Sequence, residues 1–295
     1  MTRLTAKDFH PALLELYDFY AHGRITKREF LESAGKYAVG GLTAAAILQM
    51  MSPDYALAQQ VAPNDPAIAA GRITYPSPEG HGAVNGLLVR PAGAAGKLPA
   101  IVVVHENRGL NPYIEDVARR LGKAGFMALA PDGLTSVGGY PGNDDQGREL
   151  QARVDPVKLM NDFFAAVGFL LTHEGSTGKV GIVGFCYGGG VAGAAAVAFP
   201  ELSASVSFYG RQPDAKDVPK IRASLLIHYA GLDERINAGW PAYEAALKAA
   251  TTDYRAYVYE GVNHGFHNDT TPRYDKAAAE LAWQRTLDFF AEKLA

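Results

Sequence analysis

The residue best suited to covalent chemistry is Cys186, the only cysteine among the 295 residues. It stands at the centre of Gly184-Phe-Cys-Tyr-Gly188. The apolar run at 180–183 predicts a buried strand before it, and the small-residue segment 188–198 predicts a helix after it. Glycine-x-nucleophile-x-glycine between a strand and a helix is the nucleophile-elbow pattern. Such a turn lifts the thiol above the sheet beside a helix N-terminus, where the helix dipole and free N–H groups favour a thiolate and an oxyanion.

Two other interpretations of this stretch are open. A lone cysteine is often a buried residue that only fills space. A dinucleotide-binding loop is disfavoured, because the glycine spacing is G-x-x-x-G-G-G and no acidic residue ends the next predicted strand. The choice depends on which other reactive side chains the chain supplies.

Candidate partners of the thiol follow two later predicted strands. Asp233 lies in the loop after the strand predicted at 224–229, and His264 lies in the loop after the strand predicted at 255–259. Nucleophile, acid and histidine therefore come in the chain order typical of α/β-hydrolases. A surface-loop histidine is the alternative for His264. Asp132 also follows a predicted strand, but it precedes Cys186 and is better suited to fixing a turn.

Predicted strands alternate with predicted helices from residue 71 to the end of the chain. This alternation predicts one domain, residues 71–295, with a mostly parallel central sheet and helices on both faces. The segments 71–75 and 84–90 predict an antiparallel hairpin at its start. The site is expected at the carboxyl ends of the parallel strands. A long polar loop that ends near residue 154 is expected to be functional.

Composition restricts the class of partner. The net charge of −3 gives no basic footprint for nucleic acid, so we expect a small-molecule substrate. One cysteine excludes an internal disulfide and a cysteine-cluster metal site. The eight histidines show no metal-ligand spacing, and we therefore expect neither a metal nor another cofactor.

Residues 1–70 differ from the remainder. Lys27-Arg28, the apolar stretch 38–51 and Ala56-Leu57-Ala58 resemble a twin-arginine export signal with its cleavage site, which implies a periplasmic protein. The alternative is a retained helical N-terminal extension in a cytoplasmic protein, with an apolar face that packs on the main domain or on a second subunit of a homo-oligomer. The stretch is too short and glycine-rich to predict a stable membrane span.

Three segments together resemble the dienelactone hydrolase (carboxymethylenebutenolidase) family. These are Gly184-Phe-Cys-Tyr-Gly188, Ala230-Gly-Leu-Asp233 and Val262-Asn-His-Gly-Phe266, and the resemblance extends over about residues 70–295. It implies the α/β-hydrolase fold and hydrolysis of lactones or small esters by a Cys186, His264 and Asp233 triad through an acyl-enzyme. It also implies that Glu106 contacts the resting thiol. A salt bridge from Glu106 to Arg108 or Arg119 is the alternative.

The resemblance implies further roles near the substrate. The N–H groups of Tyr187 and Asn107 are expected to form the oxyanion hole. Arg148 matches one of two arginines with which the family binds a substrate carboxylate. His267 and Asn268 occupy the place of the second, so His267 is the candidate donor there, and Arg235 and Arg273 are further candidates.

A non-catalytic function is also open. The chain could be a binding or assembly protein with the α/β-hydrolase fold, using the N-terminal extension as its interaction surface. The complete elbow and the three triad positions favour an enzyme.

Overall fold

The N-terminal part of the chain is helical. The computed structural model describes residues 3–38, 41–57 and 59–295. Helices α1 (Pro11–Ala21), α2 (Lys27–Ala34) and α3 (Ala44–Met51) come first. Their apolar faces form a cluster of their own, which includes Tyr17, Tyr20, Phe30, Ile47 and Leu48. The predicted helical N-terminal extension is thus present.

The rest of the chain alternates strands and helices. The strands are β1 (Ile68–Ser77), β2 (Gly82–Pro91), β3 (Leu98–Val104), β4 (Met127–Pro131), β5 (Ser176–Phe185), β6 (Ala204–Phe208), β7 (Ser224–Ala230) and β8 (Tyr254–Tyr259). The helices are α4 (Pro112–Lys123), α5 (Asp144–Gln151), α6 (Pro156–Thr172), α7 (Tyr187–Ala198), α8 (Glu234–Asn237), α9 (Trp240–Ala249) and α10 (Lys276–Lys293).

Within the described residues, eight strands form one sheet in the order β1-β2-β4-β3-β5-β6-β7-β8. The pairs β1/β2 and β2/β4 are antiparallel, and every later pair is parallel. Apolar clusters cover both faces of the sheet. The mostly parallel α/β sheet and its initial hairpin are therefore confirmed. The carboxyl ends of its parallel strands lie along one edge of the sheet. The loops that follow β3, β5, β7 and β8 begin at this edge.

One prediction about a loop differs from the structure, and the predicted export signal lies partly outside the described residues. The segment predicted as one long polar loop contains helix α5, because Asn143 caps it by accepting from the N–H of Gln146 at 3.0 Å. The predicted cleavage site includes Ala58, and the predicted apolar stretch includes Val39 and Gly40; these three lie outside the described residues. Among the described helices, none combines the length and apolarity that crossing a bilayer requires.

Candidate active site

Cys186 sits on a strained turn between β5 and α7. Its backbone has φ 56° and ψ −112°, a conformation that L-residues rarely adopt. The flanking glycines make the turn possible: a Cβ at Gly184 would lie 1.8 Å from the carbonyl oxygen of Gly188, and a Cβ at Gly188 would lie 2.4 Å from that of Val104. Since no side chain fits at either place, the sequence pattern and the geometry of an elbow coincide here.

His264 and Asp233 approach the thiol from the loops after β8 and β7. The Asp233 carboxylate caps helix α8, accepting from the N–H of Ile236 at 3.2 Å, and its other oxygen lies 2.5 Å from His264 Nδ1. The second nitrogen, His264 Nε2, is buried and has no hydrogen-bond partner among the described residues. Asp233 therefore orients an imidazole whose free nitrogen is available to the thiol.

A second histidine, His22, also contacts the thiol. It caps the C-terminus of α1, and its Nε2 lies 3.2 Å from Cys186 Sγ. Its Nδ1 lies 2.7 Å from the main-chain oxygen of Asp18 and 3.2 Å from the Asp18 carboxylate. The rings of His22 and His264 meet edge to face with centroids 4.7 Å apart. The sulfur is thus flanked by two imidazoles, each held by an aspartate.

The two histidines determine the charge of the thiol. Burial by itself would raise the pKa of Cys186, but the charges of His22 and His264 hold that pKa well below its usual value. Burial lowers the pKa of His264, yet the Cys186 thiolate and Asp233 outweigh it and raise the pKa to about 10. The pKa of His22 is likewise raised, since Cys186 and Asp18 outweigh its burial. The favoured state is a thiolate beside imidazolium.

Comparisons with known proteins give the family. A family model described as dienelactone hydrolase family matches residues 84–294, which is more than half of the chain. The chain belongs to the dienelactone hydrolase family. The predicted enzyme class, a hydrolase of carboxylic esters and lactones, is thereby confirmed at the level of the family. A second model, described as YqhI-like, matches residues 1–38.

Relatives and solved structures agree with this family. "Putative hydrolase fragment YghX" of Escherichia coli K12 is 70% identical over 115 residues, covering 39% of this chain and 98% of that protein. "Putative carboxymethylenebutenolidase" of Yersinia pestis is 30% identical over 239 residues, covering 76% and 89%. A crystal structure named as a putative dienelactone hydrolase of Klebsiella pneumoniae has a TM-score of 0.67 at 28% identity, covering 76% of this chain and 99% of that chain.

Glu106, the residue that the family resemblance places at the resting thiol, is buried. Burial raises the pKa of Glu106, and its carboxylate accepts from the side-chain amide of Asn268 at 3.1 Å. The alternative salt bridges are not formed among the described residues, because Arg108 pairs with Asp144 and Arg119 with Asp116. The described hydrogen bond at the sulfur joins it to His22, which lies outside residues 84–294 that the family model matches.

The other family-derived positions divide into two groups. Arg148 faces the N-terminal helices: its Nη1 donates to the main-chain oxygen of Tyr20 at 2.9 Å, and its guanidinium lies 4.1 Å from that ring. His267 lies in the core, where its Nδ1 is 2.6 Å from the Tyr113 hydroxyl and its ring stacks on Phe185. Burial holds the pKa of His267 well below its usual value, so this ring is neutral and remote from solvent.

Tyr187 and Asn107, the residues expected to form the oxyanion hole, lie on two different elements. Tyr187 begins helix α7, where the first N–H groups of a helix lack intrahelical acceptors. Asn107 follows β3, and its side-chain amide donates to the main-chain oxygen of Ala21 at 2.7 Å. One N-terminal helix therefore contacts Asn107, Arg148 and the thiol together.

Two cavities border residues of the candidate triad. Cys186 and Tyr187 border one of about 610 Å³, with an apolar wall that includes Met160, Phe164 and Val191. A second cavity, of about 460 Å³, is bordered by His264, Asp233, Asp18, Arg235 and Arg273. In it the Arg273 guanidinium pairs with the Asp18 carboxylate at 3.2 Å. Arg211, Asp214 and Asp217 also border the first cavity, so its lining is apolar only in part, whereas the second cavity contains paired charges.

Sequence reasoning missed His22 and Asp18. The one available signal was their i, i+4 spacing in the predicted helical extension, which allows the two side chains to pair. Nothing in that spacing relates them to Cys186, 164 residues along the chain from His22.

Proposed function

We propose that the chain is a cysteine-dependent hydrolase of lactones or small carboxylic esters, acting through Cys186, His264 and Asp233 by way of an acyl-enzyme. The observation that carries this proposal is the thiol on its strained elbow beside an imidazole whose other nitrogen is held by a buried carboxylate. A thiolate paired with imidazolium combines a nucleophile and a proton donor in the same resting state.

In the first half-reaction the Cys186 thiolate attacks the carbonyl carbon. The C–S bond forms, and the electron pair of the C=O bond moves to the oxygen. The N–H groups of Tyr187 and Asn107 stabilise that oxyanion, and each such donor is worth about 10²–10³ in rate. When the tetrahedral intermediate collapses, the C–O bond to the leaving group breaks, and His264 Nε2 gives its proton to the departing oxygen.

In the second half-reaction neutral His264 takes a proton from water. The water oxygen attacks the thioester carbonyl, and the collapse of this second intermediate expels the thiolate and releases the acid. The imidazolium and thiolate pair is then restored. Asp233 acts as a positioning residue, because it holds the imidazole in the tautomer that presents Nε2 to the sulfur.

The surroundings favour a neutral substrate. Arg148 already binds the Tyr20 carbonyl, and Arg273 already pairs with Asp18. The cavity that the sulfur borders has an apolar wall, and the charged residues that also line it, Arg211, Asp214 and Asp217, are of both signs. A substrate with an apolar acyl part would fill this cavity without displacing those contacts, so we expect neutral lactones and esters to be preferred over anionic ones.

Steady-state hydrolysis of a neutral aryl ester tests the proposal. Cys186→Ala and His264→Asn are each expected to lower kcat/KM by about 10⁴-fold or more, by analogy with other triads. His81→Asn is the matched control, since His81 forms a second His–Asp pair, 2.6 Å from Asp162, away from the thiol. It should keep activity within about twofold, as expected for a change outside the reacting groups. A folded Cys186→Ala variant with full activity would refute the proposal.

A further inference from the structure

Three metal-ligating side chains meet at one point of the candidate active site. They are His22 from the end of α1, Cys186 from the elbow and His264 from the loop after β8. One donor atom of each lies within 4.8 Å of the other two, and the separation between His22 Nε2 and Cys186 Sγ is already 3.2 Å. Tetrahedral coordination with Zn–N bonds near 2.0–2.1 Å and a Zn–S bond near 2.3 Å needs donor separations of roughly 3.3–3.6 Å. A contraction of about 1 Å of the widest pair would satisfy it.

The atoms behind these donors complete a second layer. The Nδ1 atoms of His22 and His264 lie 3.2 Å and 2.5 Å from the carboxylates of Asp18 and Asp233. Carboxylate–histidine pairs of this kind orient metal-bound imidazoles and increase their basicity. In addition, His264 is only 6% exposed, and its Nε2 has no hydrogen-bond partner among the described residues. This buried nitrogen, which lies within 4.8 Å of the thiol and of the second imidazole, is therefore available to bind a ligand.

We propose that His22, Cys186 and His264 form a binding site for a divalent transition-metal ion of the Zn²⁺ type. Two imidazoles and one thiolate are a donor set that suits zinc and disfavours Mg²⁺ or Ca²⁺, which bind oxygen ligands. Three protein ligands leave a fourth coordination position open to water or another ligand.

The charge of the site is compatible with a divalent ion. The carboxylates of Asp18 and Asp233 place negative charge next to the two imidazoles, and a bound ion would displace any protons that the three donor atoms carry. Arg235 opposes binding, because its Nη2 lies 3.4 Å from His22 Nε2 and 3.5 Å from His264 Nδ1. The carboxylates of Asp18 and Asp233 offset it.

The metal site shares two residues with the proposed function but does not rest on it. Ligands and geometry are the same whether or not the thiol attacks esters. If both proposals hold, the metal-loaded protein is inactive as a hydrolase, since the ion occupies the thiolate and the nitrogen that transfers the proton. His22 then links the N-terminal extension to the availability of the nucleophile.

The test is a metal titration of the untagged full chain, without substrate. After removal of metals with a chelator, Co²⁺ is added and the absorption of a thiolate-to-cobalt charge transfer is followed. Zn²⁺ competition then gives the affinity, and elemental analysis gives the stoichiometry. We expect one ion per chain, a charge-transfer band that Cys186→Ser abolishes, and no displacement of Co²⁺ by Mg²⁺.

Variants separate this site from adventitious binding. His22→Gln should weaken Zn²⁺ binding at least about tenfold, as expected when a ligand is lost. His10→Asn, which keeps a capping side chain at the start of α1, should bind as the natural chain does. Circular dichroism checks folding, and if His22→Gln is unfolded, Asp18→Asn replaces it with an expected loss of about tenfold. Absence of the charge-transfer band, or unchanged affinity in the folded variant, would overturn the inference and leave the hydrolase proposal untouched.

Discussion

At the Cys186 sulfur, burial and charge act in opposite directions. The side chain is 9% exposed, and burial in apolar surroundings disfavours a thiolate. Two imidazoles reverse this, because their charges lower the pKa of the thiol, and each ring lies against an aspartate carboxylate. The pKa of the thiol therefore falls well below its usual value although the side chain is largely buried.

Alkylation of the thiol gives the first prediction. An ordinary thiol has a pKa near 8.5. Below that pH, its alkylation rate increases about tenfold for each unit by which the pH is raised, because the thiolate fraction increases in the same proportion. With chelator present, the rate for Cys186 should instead be nearly constant from about pH 6 to pH 8, since its lowered pKa keeps it ionised throughout. Iodoacetamide kinetics measure this cleanly, because the chain has one cysteine.

The matched variants are His22→Asn and His264→Asn. Each removes one cation from the sulfur, so each should raise the thiol pKa and restore a rise of rate with pH. A tenfold rise per unit in the natural chain would show that the resting group is a neutral thiol.

At the scale of elements, the elbow depends on close backbone contact between β5, α7 and β3. Gly188 lies against the carbonyl oxygen of Val104, where a Cβ would be 2.4 Å away from backbone that cannot shift easily. Gly190 lies on the same helix with more room, since a Cβ there would be 3.5 Å from the carbonyl oxygen of Arg211. Gly188 is therefore required for the close packing of α7 on β3, whereas a larger residue fits at Gly190.

Urea unfolding of two alanine variants tests this difference. Gly188→Ala should lower the free energy of unfolding by about 3 kcal/mol, because the added methyl forces α7 away from β3. Gly190→Ala should change it by no more than about 1 kcal/mol, and in the stabilising direction where helix propensity dominates. Equal unfolding midpoints for the two variants would contradict the packing account.

How far the sequence predicts this arrangement also varies by element. Alternating apolar strands and helices predicted the sheet, and elbow, acid and histidine were each recognisable because they directly follow strands β5, β7 and β8. The contact of His22 with the sulfur was not predictable, since it depends on how a separate group of helices docks on the sheet edge. The buried position of His267 was also not predictable, because the local sequence of a loop does not indicate which of its side chains pack into the core.

At the scale of the whole molecule, the N-terminal helices form one wall of the candidate site. Their contacts reach Asn107, Arg148, Arg273 and the thiol. Asp18 occupies the Arg273 guanidinium much as the carboxylate of a substrate would. Association of two chains through these helices, and the division into residues 1–70 and 71–295, stay predictions.

Selectivity between anionic and neutral lactones should depend on Asp18. Asp18→Ala frees the Arg273 guanidinium, so the ratio of kcat/KM for a carboxylate-bearing lactone to that for its neutral ester should rise about tenfold, or about 1.4 kcal/mol. Because Asp18 also contacts His22, its substitution could lower kcat/KM for both substrates. A loss common to both substrates does not change their ratio. Glu15→Ala is the control, since Glu15 borders the same cavity without an ion pair to any described residue. A ratio unchanged by Asp18→Ala would argue against this role of the extension.

The measurement that tests the central claim most directly is intact-protein mass spectrometry of an acid-quenched reaction with an activated ester. We predict a mass increase equal to one acyl group, which peptide mapping places on the peptide that contains Cys186. In His264→Asn, a larger amount of this adduct would show that deacylation is slowed more than acylation. Turnover without any adduct in the natural chain, or an adduct on a residue other than Cys186, would contradict the claim that this thiol is the nucleophile.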